Sequence, residues 1–519
     1  MRTNARVAAI AACLALPAFA VRQSGAQSSA HSNAHSNAKA QAVDWRAFDK
    51  YVDQAARDWH VPALAIAVVK DDSLVFAKGY GVIEIGKPAR ADEHTRFAIG
   101  STTKAMTSAA LGMLVDEGKL HWDDRVIDLL PDFRLYDPYV TRELTVRDLL
   151  THRTGLPGTD LLWVGPWTYT MPEMIHRLRY VKPASSFRSE WEYQNVVYAI
   201  AGTLVERLSG MPWETFVRTR IFTPLGMSET EPLVSAIMGK PNVAVPHAER
   251  NDTVRVVPVR STDAIAPAGS VWSSVADMSK WMRFVLDSGR VGSQRLLKPE
   301  TFREIIAPQI RAPMEEYPAL RLAKPDFFSY GFGWFIQDYR GQAVWMHTGS
   351  IDGMCAIIGL IPEQRLGVYV LENLDHAELR HALMYSVFDL YSGGESRDWS
   401  RDLHELFATL ARPARAPASE RPVVATHPSL PLDRYAGTYV DSTYGSIEVT
   451  LSNGGLEMQA GNVPAQRLEP VQYETFRTSS AGAPRQSMTL TFVPDGAGGV
   501  SAVRFYGIPF ARVRSPGRR

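Results

Sequence analysis

Ser101-Thr-Thr-Lys104 sets a serine hydroxyl three residues ahead of a lysine amine, at the start of an apolar run that follows Gly100. On a helix, residues three apart lie one above the other, so the two groups meet. A serine hydroxyl is a weak nucleophile until a base takes its proton, and an amine of lowered pKa is such a base. The spacing describes an acylating serine. Ser36-Asn-Ala-Lys39 has the same spacing, so the surroundings must choose between them. An acylating serine also needs donors for its oxyanion and a rail that holds the substrate.

Two later segments offer these in a workable order. In Tyr193-Gln-Asn195, residues i and i+2 of an extended or turning chain point the same way. A phenol is a useful base only where neighbouring cations depress its pKa, and Lys104 is the expected cation. Asn195 is placed to bridge Lys104 and a substrate carbonyl. His347-Thr348-Gly349-Ser350 reads as strand. Gly349 lets a ligand approach the backbone, the N–H groups of Ser350 and Ser101 are the expected oxyanion donors, and a strand edge here can pair with an extended peptide. Taken singly, Tyr193 reads as a packing residue and His347 as a partly exposed strand histidine. Arg153-Thr-Gly155 competes with the second segment, but it precedes Tyr193 and sits in a helix-terminating turn.

The elements that must position these groups follow from hydrophobic periodicity. Ala63-Leu-Ala-Ile-Ala-Val-Val and Leu74-Val-Phe-Ala-Lys-Gly-Tyr-Gly read as strands joined at Asp71-Asp72-Ser73. A helix follows Thr102, helical patterns dominate residues 120–230, and Val275–Leu286 is another helix. Gln342–His347, Ala356–Pro362 and Leu366–Leu371 return to strand character, and His381–Tyr391 reads as helix. Strands, then helices, then strands predict an α+β fold: one sheet flanked by helices, with an inserted all-helical lobe and a cleft between the two. The loops near 155–190 and 305–330 are expected to roof that cleft. Residues 396–428 begin as helix and continue as a Pro/Ala/Arg-rich linker. From about Leu430 short alternating strands with Gly, Asn and Asp turns predict a small all-β barrel or sandwich over 429–515.

The amino terminus reads as a secretory signal over residues 1–20. It has Arg2 and Arg6, an apolar run from Val7 to Phe19, and small-x-small sites ending at Ala20 and Ala26. A lipoprotein site at Cys13 is a poorer fit, because the apolar run continues past it. Residues 21–43 are polar, with the duplication Ala30–Ala38, and are expected to form a disordered tether. His31 and His35 there read as solvated, and Ser36/Lys39 falls where nothing would hold a catalytic geometry. The reading places the mature protein in the periplasm or outside the cell, without a transmembrane segment.

Composition narrows the classes. The 519 residues are 45% apolar and 21% charged, and Lys plus Arg (56) against Asp plus Glu (55) leaves a net charge of +1. That balance gives no electrostatic case for nucleic acid. Only Cys13 and Cys355 are present, so a disulfide framework and a cysteine zinc site are not expected. His376 and His381 lack a His-Glu-x-x-His frame; no metal and no cofactor is expected.

Ser101-x-x-Lys104, Tyr193-x-Asn195 and His347-Thr-Gly349 together resemble the Ser-x-x-Lys, Tyr-x-Asn and Lys/His-Thr-Gly elements of the serine β-lactamase and penicillin-binding superfamily, nearest its class C-like branch. Leu149-Leu-Thr-His-Arg-Thr-Gly-Leu-Pro157, Pro224-Leu-Gly-Met227, Ala268-Gly-Ser-Val-Trp-Ser-Ser274 and Tyr330-Gly-Phe-Gly-Trp334 add to the resemblance, which covers about residues 45–390. Tyr435-x-Gly-x-Tyr439 is similar to the small β domain that often trails such hydrolases. The resemblance implies a β-lactamase/transpeptidase-like fold with Ser101 as nucleophile. It implies that Lys104 and Tyr193 share the base role, that Asn195 orients the substrate, and that His347 and Thr348 line the far wall. No Ser-Asp-Asn stands at Tyr193, against a class A enzyme, and no Gly-x-Ser-x-Gly elbow is present, against an α/β-hydrolase.

The departure is His347 where potent β-lactamases carry lysine. A histidine titrates near pH 6.5, so a substrate carboxylate held by it should be released above neutral pH. The resemblance then ranks a peptidase on short or D-configured peptides first, of the D-alanyl-D-alanine carboxypeptidase or D-aminopeptidase type. An esterase or weak β-lactamase comes second. A silent cell-wall peptide binder and an assembly protein recruiting partners through the β domain are the non-enzymatic alternatives. The oligomeric state is left open.

Overall fold

The computed structural model describes residues 43–250, 252–393, 397–411, 426–478 and 488–513. The signal over 1–20, its cleavage sites, Cys13, His31, His35, Ser36/Lys39, the tether up to residue 42 and most of the 412–428 linker lie outside the described residues.

Eight antiparallel strands form the central sheet. They are β1 (Ala63–Lys70), β2 (Ser73–Gly81), β3 (Ile310–Arg311), β4 (Phe328–Tyr330), β5 (Phe335–Tyr339), β6 (Gln342–Ile351), β7 (Met354–Ile361) and β8 (Leu366–Glu372), in the spatial order β2-β1-β8-β7-β6-β5-β4-β3. The order records the sequence pattern: an amino-terminal hairpin pairs with the last strand, Leu64 opposite Glu372, and the helical lobe is inserted between β2 and β3.

β1 shows how one strand serves two layers. Its residues are nearly all buried, and they sort by the period of two. Ala63, Ala65 and Ala67 face the core that contains the helical lobe. Leu64, Ile66 and Val68 face a second core, with Phe48 and Val52 of α1 (Trp45–Asp58) and Leu383 and Phe388 of the carboxy-terminal helix. The small residues fall on the side where the lobe packs closely, and the large ones fill the other layer.

The lobe contributes α2 (Thr103–Asp116) and α3 (Asn195–Ser209). Both are buried along most of their length, α2 from Thr103 to Leu114 and α3 from Val196 to Gly202. α3 ends at Gly210, whose left-handed φ of 74° stops the helix. α4 (Val275–Leu286) is capped by Ser274, whose side chain accepts from the N–H of Asp277. α5 (Leu379–Ser392) covers β7 and β8, and α6 (Trp399–Ala411) follows it. No helix among the described residues is long and apolar enough to cross a membrane.

From Gly437 to Arg512 eight strands close into an antiparallel barrel. Its inward positions are filled by side chains, with Tyr435, Tyr439, Phe476 and Phe492 packed ring against ring. The barrel is docked on the lobe. Trp167 stacks on Phe510 at 5.7 Å and donates from Nε1 to Ser446 O at 3.3 Å. Tyr169 donates to Tyr444 O at 3.1 Å, and Arg177 reaches Thr443 O at 3.0 Å.

Candidate active site

Ser101 sits in a 3-10 turn, Gly100–Thr102, that runs directly into α2. Gly100 takes φ of 53°, in the left-handed region that glycine adopts freely. The turn lies against β6 at such close range that a Cβ on Gly349 would stand 1.9 Å from Ile99 O and 3.1 Å from Ser101 N, and one on Gly100 2.7 Å from Ser350 N. Two glycines thus bring the backbone N–H groups of Ser101 and Ser350 onto adjoining segments beside the hydroxyl.

The side chains converge as the sequence suggests. Lys104 Nζ is 3.1 Å from Ser101 Oγ, 2.7 Å from Asn195 Oδ1 and 2.9 Å from Ala268 O. Tyr193 donates from its hydroxyl to Ser101 Oγ at 2.7 Å. Asn195 opens α3 and donates from Nδ2 to both carboxylate oxygens of Asp160 at 3.2 Å. Lys104 Nζ also lies 4.7 Å from the centre of the Tyr193 ring.

The electrostatics separate these groups. Lys104 is fully buried, and burial pulls its pKa down to about 7, with the charge of Asp160 acting the other way. A neutral amine has two N–H donors and one lone pair. Asn195 Oδ1 and Ala268 O absorb the two donors, which leaves the lone pair for the Ser101 hydroxyl. Tyr193 is corrected: burial pushes its pKa well above the ordinary phenol value, so Lys104 does not make it a phenolate. The resting tyrosine is a neutral donor to Ser101.

His347 is corrected as well. Its ring is 1% exposed, with Nε2 3.0 Å from the Tyr330 hydroxyl and Nδ1 2.6 Å from Thr348 O. Burial, then the charge of Lys104, pulls its pKa down to about 3. Burial and these two internal bonds favour a neutral ring over a charged hold on a carboxylate. Thr348 is also engaged, its hydroxyl 2.8 Å from that of Tyr317. β5 pairs with β6 only as far as Met346, so residues 347–351 are paired on the β7 side and carry no β5 partner.

Several groups at the site carry no motif. Ala268 acts through its carbonyl, which leaves no side-chain signal. Asp160 falls in a Gly/Pro-rich loop, and its one signal is its place just after the Leu149–Pro157 stretch. His152 packs against Tyr193 with the rings tilted, 4.4 Å between centres, and accepts from Gln194 N at 3.2 Å. Arg153, of the competing Arg153-Thr-Gly155, is tied to the buried carboxylate of Asp148.

The family model described as Beta-lactamase matches residues 48–390, and that described as Domain of unknown function (DUF3471) matches 421–514. The chain is 30% identical over 448 residues to Unguisins hydrolase ungD of Aspergillus violaceofuscus, covering 81% of this chain and 79% of that one. It is 28% identical over 326 residues to Penicillin-binding protein 4 of Amycolatopsis lactamdurans, covering 62% and 83%. In fold it is similar to the octameric penicillin-binding protein homologue from Pyrococcus abyssi, with a TM-score of 0.59 at 22% identity over 90% of this chain and 99% of that one. It is also similar to a class C beta lactamase from Rhodobacter sphaeroides, with a TM-score of 0.54 at 19% identity over 67% and 99%. The chain belongs to the β-lactamase family of serine hydrolases, with a closed β-barrel following the hydrolase fold.

Proposed function

We propose that the protein hydrolyses short peptides, including D-configured ones, through an acyl-enzyme on Ser101. Neutral Lys104 takes the serine proton as Oγ attacks the carbonyl. The N–H groups of Ser101 and Ser350 receive the oxyanion. Tyr193 hands a proton to the departing amine and is recharged from the Lys104 ammonium. Asn195 holds Lys104 in register and faces the acyl side, and Thr348 and Gly349 form the backbone rail on which the substrate lies. Water then repeats the attack on the ester.

The observation that carries the reading is the three-way placement of Lys104 Nζ against Ser101, Asn195 and Ala268. A binding protein has no use for a buried amine poised at a serine hydroxyl. Charge favours the aminopeptidase type over the carboxypeptidase type. Asp160 brings a carboxylate against Asn195, and burial keeps His347 neutral, so a substrate ammonium is better matched than a substrate carboxylate. Penicillins and other carboxylate-bearing lactams are expected to react slowly.

Intact-mass labelling of wild type and Ser101→Ala with a fluorophosphonate and with a penicillin tests this. Phosphonate labelling of the wild type alone, with slow or absent penicillin adducts, supports it. Labelling by neither reagent sinks the enzyme reading, and rapid penicillin acylation favours a β-lactamase instead. A D-amino-acid amide should be cleaved faster than its N-acetylated form.

A further inference from the structure

Behind the oxyanion strand lies a buried charged cluster that the proposed mechanism does not use. Arg380, on the first turn of α5, is 3% exposed. Its Nη1 reaches Gly349 O at 2.7 Å, Ser350 Oγ at 2.8 Å and Ala356 O at 3.3 Å. Gly349 and Ala356 are cross-strand partners on β6 and β7, so one guanidinium nitrogen spans the two strands at the site. Nη2 donates to Glu378 Oε1 at 2.9 Å, and Glu378 Oε2 is 2.6 Å from His381 Nδ1. The ion pair holds the carboxyl of Glu378 well below its ordinary range, and burial raises that of Glu372.

The carbonyl of Gly349 and the N–H of Ser350 belong to the same peptide group. A charge-assisted hydrogen bond to that carbonyl withdraws electron density along the amide and makes its N–H a stronger donor. It also holds the peptide plane against rotation. We propose that Arg380 is a positioning residue for the oxyanion hole, clamping and polarising the Gly349–Ser350 peptide from behind. This rests on the acyl-enzyme reading above. Lysine is a poor substitute, because its compact ammonium lacks the planar fork that meets Gly349 and Glu378 together.

The test is the carbonyl stretch of the acyl-enzyme, read by isotope-edited infrared difference spectroscopy on the full chain acylated with a 13C-carbonyl p-nitrophenyl ester. Wild type, Arg380→Lys and Arg380→Gln are compared, with circular dichroism confirming each fold. A strong oxyanion donor lowers that frequency. The proposal expects a band at higher wavenumber in Arg380→Gln, an intermediate one in Arg380→Lys, and kcat lower by about tenfold in the former with KM within about twofold. If Arg380→Gln does not fold, the Arg380→Lys band decides. An unshifted band in the folded variants overturns the proposal. Failure of the wild type to form any acyl-enzyme overturns the reading it rests on, and the proposal with it.

Discussion

The two walls of the cleft work by different means. The helical wall presents side chains: Ser101, Lys104, Tyr193 and Asn195 meet atom to atom within 3.1 Å of one another along a single chain of contacts. The strand wall presents backbone. Of its side chains, His347 is bonded to Tyr330 and Thr348, Thr348 to Tyr317, and Ser350 to Arg380. The two buried bases show the contrast most clearly. Burial brings Lys104 to about 7, where it can titrate in service, and His347 to about 3, where it cannot. Lysine begins with a high pKa and histidine with a middling one, so burial carries the first into the useful range and the second out of it.

The largest effect should come from removing the helical base. Lys104→Met should lower kcat/KM by about 10²–10⁴ while the protein remains folded, since the replacement relieves the burial of an amine; acylation rates by stopped flow check this. A loss below tenfold would move the base elsewhere. Next is the group that holds the helical wall together from outside. Asp160→Asn keeps the contact to Asn195 but removes the charge that supports the Lys104 ammonium, so it should lower the pKa governing kcat/KM and reduce the preference for free-amino substrates about tenfold. A pH profile with and without N-acetylation of the substrate reads both. On the docking side, Trp167→Ala removes the ring seated against Phe510 and Tyr444. It should cost about 3–5 kcal/mol of barrel docking, seen as an earlier first transition in calorimetry with a smaller loss of activity. The smallest effect is expected on the strand wall. His347→Gln keeps a polar partner for Tyr330, and KM for a carboxylate-bearing substrate should stay flat from about pH 5.5 to 8.5 in both proteins. A rise in wild-type KM above pH 7 that the variant lacks would restore a charged histidine.

The same division explains what the sequence disclosed. Ser101-x-x-Lys104 and Tyr193-x-Asn195 were legible because their side chains meet one another and their spacing follows helix and strand periods. The strand-helix-strand order exposed the sheet and inserted lobe, and the turn-rich tail exposed a barrel. His347 was legible as a position but not as a charge, because its ionisation depends on burial against Tyr330 and Phe335 of the two preceding strands and on the Lys104 amine from a distant helix. Tyr193 was likewise legible as a position, while burial pushes its pKa up rather than down. Ala268 acts by a carbonyl, and Arg380 by a long-range contact across the sheet; neither leaves a local pattern. The docking of the barrel depended on Trp167, an aromatic in a loop, whose partners Ser446 and Phe510 lie some 280 to 340 residues further along.

The central claim is that a neutral Lys104 activates Ser101 while His347 stays uncharged. The rate of Ser101 phosphonylation by a neutral fluorophosphonate, measured from about pH 5 to 9 in wild type and His347→Gln, tests it most directly. Only the neutral amine is a base, so the rate should climb about tenfold per pH unit below about 7 and level off above it. The His347→Gln profile should show the same midpoint. A rate independent of pH across this range, or a midpoint that disappears with His347, would contradict the account.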